Sequence, residues 1–430
     1  MNAKTACSKR SFRLYPFIFF KMSKAVNTST NKEQQSGGPK FATDDPRLRD
    51  IIIKCKDLEE CISYVEKNKG DLIRVVIIGF PFDEGCARNG GREGSKEAPG
   101  VFRFHLYKIV NSMGGYLFFF FAKKFLCFPS SPPTKNVIAR EATRLSKEVK
   151  KSKKGCLHKK KKKKMIGKKV QIFDAGDIDT KLDYDEAHNS LSVTVFKALS
   201  NGFIPFVIGG SNDQSYFNAL ALINVLKKAS TEDKSKSSSW GIGVMNIDAH
   251  FDVRPQKAGL EHSGSPFRLL LENKDFVDNK GIFSEFAAQG HQCSMEHYDY
   301  IKKHNNGANE HAILWLTQVL RQRETLEKIA IREQFVEELK RMRGGKNINT
   351  LFISFDIDSI RSSDCPGVSC PSPIGLTSEE AMSICLEAGK CSNVRLMDCS
   401  EFNPKAESYL TGRLVSTMFY HFVLGLAQRK

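Results

Sequence analysis

Two apolar runs in this chain end in the same way. IGVMNI runs into Asp248, His250 and Asp252, and LFISF runs into Asp356 and Asp358, with each of these polar groups two residues from the next. In a strand, alternate side chains share a face, so each set leaves the end of its strand on one side. Runs this apolar must be covered on both faces, which calls for a parallel sheet between layers of helix. Ligands of such sheets sit in the crevice at the carboxyl ends of the strands, where these five residues fall. Either set alone would also serve as a cap-and-turn signal. Together, four carboxylates and one imidazole with no thiolate form a hard, oxygen-rich donor set, which suits manganese or magnesium better than a structural zinc. The two stretches read as the halves of a dinuclear metal centre.

The rest of the chain carries the matching alternation. RVVIIGF, VQIFDAGDI, FIPFVIGG, GIGVMNI, AILWLTQ, TLFISFDID and NVRLMDCSEF read as strands. Before, between and after them, DLEECISYVEKN, SLSVTVFKALSNG, SYFNALALINVLKK, SPFRLLLEN, REQFVEELKRMRG, SEEAMSICLEAG and GRLVSTMFYHFVLGLAQ have helical spacing. This predicts an α/β fold, three layers α/β/α with a largely parallel central sheet. Residues 1–39 read as a disordered or targeting extension and 40–430 as one domain, interrupted at 110–169 by a Lys-rich insertion with no shared periodicity.

That insertion accounts for most of the charge. The net charge is +18, yet Arg144 to Lys169 holds fourteen basic residues against one acidic, so the remainder is only mildly basic. Lysine runs can bind nucleic acid; a solvated tract without a specific partner is the reading favoured here. The twelve cysteines include no CxxC pair and no secretory signal leads the chain, which points to free thiols in a reducing compartment. Cys365 and Cys370 are read as structural. The location expected is cytoplasmic, with the basic, acid-free MNAKTACSKRSFRLYPFIFFKM leaving a mitochondrial transit segment, or an extension before a start at Met22, as alternatives. A membrane association is not expected, because the longest apolar run, YLFFFFAKKFLCF, is broken by Lys123 and Lys124 and falls short of the roughly 20 residues of a span.

The motifs, taken together, resemble a family. IIGFPFDEGCARNGGREG, VIGGSND, NIDAHFDVR, GLEHSGSPFR, SFDIDSIRSSDCPGVSCPSPIGLT and EFNPKAESYLTGRL are similar to segments of the ureohydrolases: arginase, agmatinase and formimidoylglutamase. The resemblance runs from about Val75 to the C-terminus apart from the insertion, and the DVR ending and the SSDCPGVSCPSPIGL segment look most like formimidoylglutamase. It implies an arginase-like fold, and two manganese ions per chain sharing a hydroxide that attacks a trigonal amidine or guanidinium carbon. By the same resemblance Asp248 and Asp356 bridge both ions, His250 and Asp358 complete one, and Asp252, also carried over as catalytic, helps to hold the other. Where the family has GGDH or GGGH this chain has GGSND, so Asn212 stands in for a histidine ligand to the first metal with a weaker neutral oxygen. Asp213 is an alternative donor, and occupancy by one ion the alternative outcome. His262 is matched to a proton-shuttling histidine at the site entrance, and Glu380 to a carboxylate that pairs with the cationic end of the substrate; their plainer roles are a loop histidine and a first-turn helix residue. Arg254 and Arg268 are candidates to bind a substrate carboxylate.

The activity implied is manganese-dependent hydrolysis of N-formimidoyl-L-glutamate to L-glutamate and formamide. Arginase or agmatinase specificity is the runner-up, and a non-catalytic homologue impaired at Asn212 is the competing class. The partners expected are a small-molecule substrate and further copies of the chain, since the family assembles as homo-oligomers.

Overall fold

A computed structural model of the chain describes residues 47–110, 170–179, 181–232, 240–305, 307, 309–324 and 329–429. In chain order come β1 (Ile53–Lys54), α1 (Leu58–Lys67), β2 (Ile73–Phe80), α2 (Glu84–Asn89) and α3 (Ala98–Leu106). They are followed by β3 (Val170–Asp177), α4 (Tyr184–Ser200), β4 (Phe203–Gly209), α5 (Gln214–Glu232) and β5 (Gly241–Ile247). The second half holds α6 (Pro266–Glu272), α7 (Lys274–Asp278), β6 (Ile282–Ala288), α8 (Met295–Lys303), β7 (Ala312–Trp315), α9 (Leu316–Glu324) and α10 (Ile331–Arg343). It closes with β8 (Ile348–Asp356), α11 (Ser378–Lys390), β9 (Val394–Ser400) and α12 (Tyr409–Leu426).

The strands form one sheet in the order β1-β3-β2-β4-β9-β8-β5-β6-β7, and every pair in it is parallel. The expected "largely parallel" sheet is therefore wholly so among the described residues, in a three-layer α/β fold. β4, β5 and β6 are buried along their whole length, as strands covered on both faces must be. After β4 the chain skips two positions to lay down β5, and β8 and β9 later fill the space between them. The four strands β4, β9, β8 and β5 are thus neighbours, and their carboxyl ends open into one crevice at the place where the strand order switches.

Local chemistry sets the ends of the elements. Asp57 and Asp183 cap α1 and α4 by accepting from Glu60 N and Glu186 N. After β4 the Gly209-Gly210 pair is required by close approach: a Cβ on Gly210 would lie 1.8 Å from Phe82 O. Two expectations need correction. AILWLTQ is a strand only over Ala312–Trp315, and its remainder starts α9. β1, only two residues long, and β6 went unread, the latter because Ser284 and Glu285 interrupt its apolar run. The strand accommodates Glu285 because burial, with Asp248 nearby, raises its pKa well above the carboxylate range and favours the neutral acid. The expectations for residues 1–39 and for the insertion at 110–169, its lysine tract included, lie outside the described residues but for Val110. Among the described residues no helix is long and apolar enough to cross a membrane, and all nine described cysteines are free.

The loop from Arg361 to Thr377 lies across the end of β8 and is pinned by Asp364. Its carboxylate accepts from Arg361 Nε at 2.8 Å, Ser363 Oγ at 2.9 Å and the Ser378 N–H at the start of α11 at 2.8 Å. Slight burial raises its pKa, but these donors outweigh that and hold it down to about 2. A carboxylate depressed below its unfolded value of about 3.9 stabilises the fold above that pH and loses its contribution as pH falls through the folded value. Asp364→Asn is expected to lower stability by about 1 kcal/mol at neutral pH, after allowance for solvent screening. In denaturant titrations the difference from the parent should shrink as pH drops from 4 toward 2; a constant difference would contradict the assignment.

Candidate metal centre

The crevice is floored by acids. Asp248, Asp356 and Asp358 are buried, Asp252 nearly so, and the half-buried His250 turns Nδ1 inward, 3.1 Å from Asp358 Oδ2 and 3.4 Å from Asp248 Oδ1. Two groups of ligand atoms result, Asp248–His250–Asp358 and Asp248–Asp252–Asp356, each with all its atoms within 4.8 Å of one another. Asp248 belongs to both. The local fold aims these side chains by having each acid cap its own turn: Asp248 Oδ1 accepts from His250 N at 2.7 Å, and Asp356 Oδ1 from Asp358 N at 3.0 Å. Asp252 reaches inward from a left-handed backbone with φ +48°, a strained conformation of the kind that clusters at functional sites.

The electrostatics call for a cation. Burial, and then the neighbouring Asp358, push Asp248 up to about 6, while burial and then Asp248 push Asp252 up to about 7. Asp356 lies well above the carboxylate range for the same reasons, burial first and then Asp358 and Asp248. Although burial works against charging His250, the Asp358 and Asp248 carboxylates outweigh it and raise its pKa well above the ordinary value. Like charges this close in a dry crevice fit two hard divalent ions, which would neutralise them, and the donor set of carboxylates and one imidazole suits manganese.

Asn212 lies at the rim of this group. Its Nδ2 is 2.8 Å from Asp252 Oδ2 and 3.5 Å from Asp248 Oδ2, and its backbone N–H donates to Glu401 Oε1 at 3.0 Å. The predicted metal residues, all six, are therefore brought together. Asp213 is not an alternative donor. It points into α4, where its carboxylate accepts from Tyr184 OH at 2.6 Å, meets His188 Nε2 at 2.9 Å and is also bonded by Ser211 Oγ.

Three other expectations are revised. Glu380 closes a capping box at the start of α11: its N–H donates to Thr377 Oγ1 at 3.2 Å and its Oε2 accepts from Thr377 N at 2.8 Å. The carboxylate that reaches the centre is Glu401, just past β9, almost fully buried and held in a left-handed backbone with φ +65°. Burial, then the proximity of Asp358, lift its pKa well above the carboxylate range. The signal for it was in EFNP, an acid directly after an apolar strand, the same grammar that exposed Asp248 and Asp356. His262 is fully buried rather than at an entrance, its Nε2 donating to Pro255 O at 3.1 Å and its Nδ1 accepting from Gly264 N at 3.2 Å. With both ring nitrogens engaged by backbone it locks the 254–264 loop and has no nitrogen left to shuttle protons. Arg268 is committed to α6 and α8: it stacks over the Tyr300 ring at 3.8 Å, donates to Val253 O at 2.9 Å and pairs with Glu272 at 3.6 Å.

Arg254 differs. Two residues beyond Asp252 it is exposed, packs over Gly264, and among the described residues its guanidinium has no hydrogen-bond or ion-pair partner. Cys365 is buried as expected of a structural thiol, whereas Cys370 is exposed, its Sγ 3.4 Å from Gln292 Oε1.

A parallel sheet with a buried carboxylate and imidazole cluster across the ends of four adjacent strands is the architecture of a metal-dependent α/β protein. The family model of the arginase family matches residues 139–425, and the chain belongs to that family, the ureohydrolases. The similarity within it is to formimidoylglutamases. That of Staphylococcus haemolyticus is 23% identical over 400 residues, covering 92% of this chain and 99% of that protein. The Geobacillus kaustophilus protein is 26% identical over 342 residues, 76% of each chain. Among solved structures, Trypanosoma cruzi formiminoglutamase with Mn2+2 is 34% identical, covers 90% of this chain and 100% of its own, and superposes with a TM-score of 0.63.

Proposed function

We propose that this chain is a manganese-dependent hydrolase of linear amidines that converts N-formimidoyl-L-glutamate to L-glutamate and formamide. The two acid groups sharing Asp248 support the metal chemistry. The substrate rests on Arg254, whose guanidinium has no partner among the described residues and follows Asp252 at the edge of the acidic crevice, suited to the carboxylate end of a substrate whose other end is an amidine. The formimidoylglutamase names of the relatives point the same way.

Asp248, His250, Asp252, Asp356, Asp358 and Asn212 would hold the ions, which when bound supply a hydrolytic nucleophile near neutral pH. Glu401, whose charged form burial and Asp358 disfavour, would be held as a carboxylate by the amidinium itself, which it faces and orients by charge and hydrogen bonding, and Arg254 anchors the glutamate carboxylates at the mouth. Burial of Asp248, Asp356, Asp358 and Glu401 keeps bulk water from screening the contacts at the amidine end.

The test is product release by the purified protein, with manganese or with a chelator. Glutamate and formamide from N-formimidoyl-L-glutamate are expected, dependent on manganese, with no urea from arginine run in parallel. Urea release would replace the substrate while keeping the chemistry. The absence of both products would identify a homologue that retains the fold without the reaction.

A further inference from the structure

Beneath the ligand row lies a second row of polar side chains. Glu285 of β6, Asn246 of β5, Ser354 of β8 and Asp398 of β9 are register partners on four adjacent strands, and all four are fully buried. Asn246 and Ser354 stand two residues before Asp248 and Asp356, so they share a face with them one step deeper in the sheet. Ser215 of α5 connects this row to Asn212.

The proton count around Ser215 constrains Asn212. As placed, Asn212 Oδ1 lies 2.9 Å from Ser215 Oγ and 2.9 Å from Ser400 Oγ, with its Nδ2 toward Asp252 and Asp248. The Ser215 hydroxyl has one proton, yet it also lies 2.9 Å from Asp398 Oδ2 and 3.0 Å from Ser354 Oγ. Asn218 Nδ2 donates to the same Asp398 oxygen at 2.8 Å. Burial lifts Asp398, against hydrogen bonds from Asn218, Ser215 and Ser354, to about 6, so above that pH it is a carboxylate and the strongest acceptor within reach of Ser215. With its proton on Asp398, Ser215 offers Asn212 only lone pairs. The end of an amide that suits two hydroxyl acceptors is the NH2, which has two protons to give. Turned that way, Asn212 directs Oδ1 at Asp248 and Asp252, which is tenable only with a cation between them. Without a cation there the carboxylates would claim the NH2 instead, and Oδ1 would accept from Ser400 alone, at the expense of the contact with Ser215.

We propose that Asp398, acting through Ser215, is a positioning residue that turns the Asn212 amide so that its oxygen faces the metal centre. The proposal rests on the reading of Asn212 as a ligand. It also explains how an amide can hold a place where a histidine is less dependent on Asp398: a neutral imidazole can present a lone pair to the metal by a shift of tautomer, whereas an amide has only its oxygen to offer.

The experiment is a calorimetric titration of the metal-free full-length protein with MnCl2 at pH 8, comparing the parent with Asp398→Asn, Asn212→His and the double variant. Two ions are expected for the parent, and a loss of about tenfold or more in affinity for one of them in Asp398→Asn, in the range of outer-shell substitutions at metal sites. With histidine at 212 the same Asp398→Asn change should alter affinity less than about twofold, because no amide remains to be oriented. Equal losses in the two backgrounds, or none in either, would overturn the proposal. Ser215→Ala, expected to follow the same pattern, carries the test if Asp398→Asn does not fold. Asn212→Ala separates the two readings. If it binds both ions like the parent, Asn212 is not a ligand; if it loses one while Asp398→Asn and Ser215→Ala do not, only the orientation argument fails.

Discussion

Asp248→Asn is expected to abolish manganese binding at both positions while making the metal-free protein more stable. Asp248 is the one residue common to the two ligand groups, so a neutral amide there weakens both ions together, where loss of Asp252 or Asp358 would weaken one. Hydrolysis should fall by at least about 10³-fold, the nucleophile being supplied only by the bound metal. The gain in stability follows from the same geometry. Without metal, a fully buried carboxyl crowded by Asp358 is a liability that the fold carries for the sake of its ligand, and an isosteric neutral group removes it. Thermal melting in the presence of chelator should show a rise for the variant. Addition of manganese should raise the melting temperature of the parent and leave the variant unmoved. A variant that melts lower than the metal-free parent would mean that Asp248 is chiefly a structural residue. Retention of both ions would mean that the cluster is misassigned.

The ease with which Asp248, His250, Asp252, Asp356 and Asp358 were found in the sequence has a physical cause. Polar groups spaced by two at the end of an apolar strand carry their own geometry, because strand periodicity alone places them on one face. Asn212 was legible only through the resemblance of GGSND to the family's GGDH or GGGH. What sequence could not supply was the identity of contacts made across long chain separations. Glu380 and Glu401 are both acids next to regular elements. That Glu380 turns back on Thr377 while Glu401 reaches Asn212 N across nearly two hundred residues depends on β9 inserting between β4 and β8. His262 misled for a related reason: a histidine in a Gly- and Ser-rich loop looks exposed, and its burial comes from loop closure onto Pro255 and Gly264. β6 was missed because a buried glutamate defeats a reading based on hydropathy, yet Glu285 packs fully buried in the row beneath the centre. The fold class survived these errors because it rests on the alternation of many elements, and the loss of two strands, β1 and β6, from nine leaves the alternation intact.

Glu401→Gln is expected to reduce kcat/KM by about 10²- to 10⁴-fold with both manganese ions still bound, whereas Glu380→Gln should leave the kinetics unchanged. The first range is that of losing a preorganised charged contact to the reacting group in a dry site. Glu401 is not among the residues grouped to hold metal, so its loss should spare the ion count. Its backbone is fixed by Glu401 N donating to Gly210 O at 2.8 Å and its carboxylate by Asn212 N, so the glutamine variant can keep the shape of the site while losing the charge that faces an amidinium. Part of the loss should appear in KM, since an unpaired cation is held less well in the ground state, and part in kcat, since orientation of the amidine carbon is lost as well. Glu380→Gln preserves the capping hydrogen bond from Thr377 N in neutral form and should cost a few tenths of a kcal/mol of stability, less than the roughly 1 kcal/mol of losing a cap outright. Steady-state kinetics on both variants, with manganese counted on the same samples, decide the matter. A large kinetic defect in Glu380→Gln with a silent Glu401→Gln would reverse the two assignments, and with them the placement of the amidine end beside Glu401.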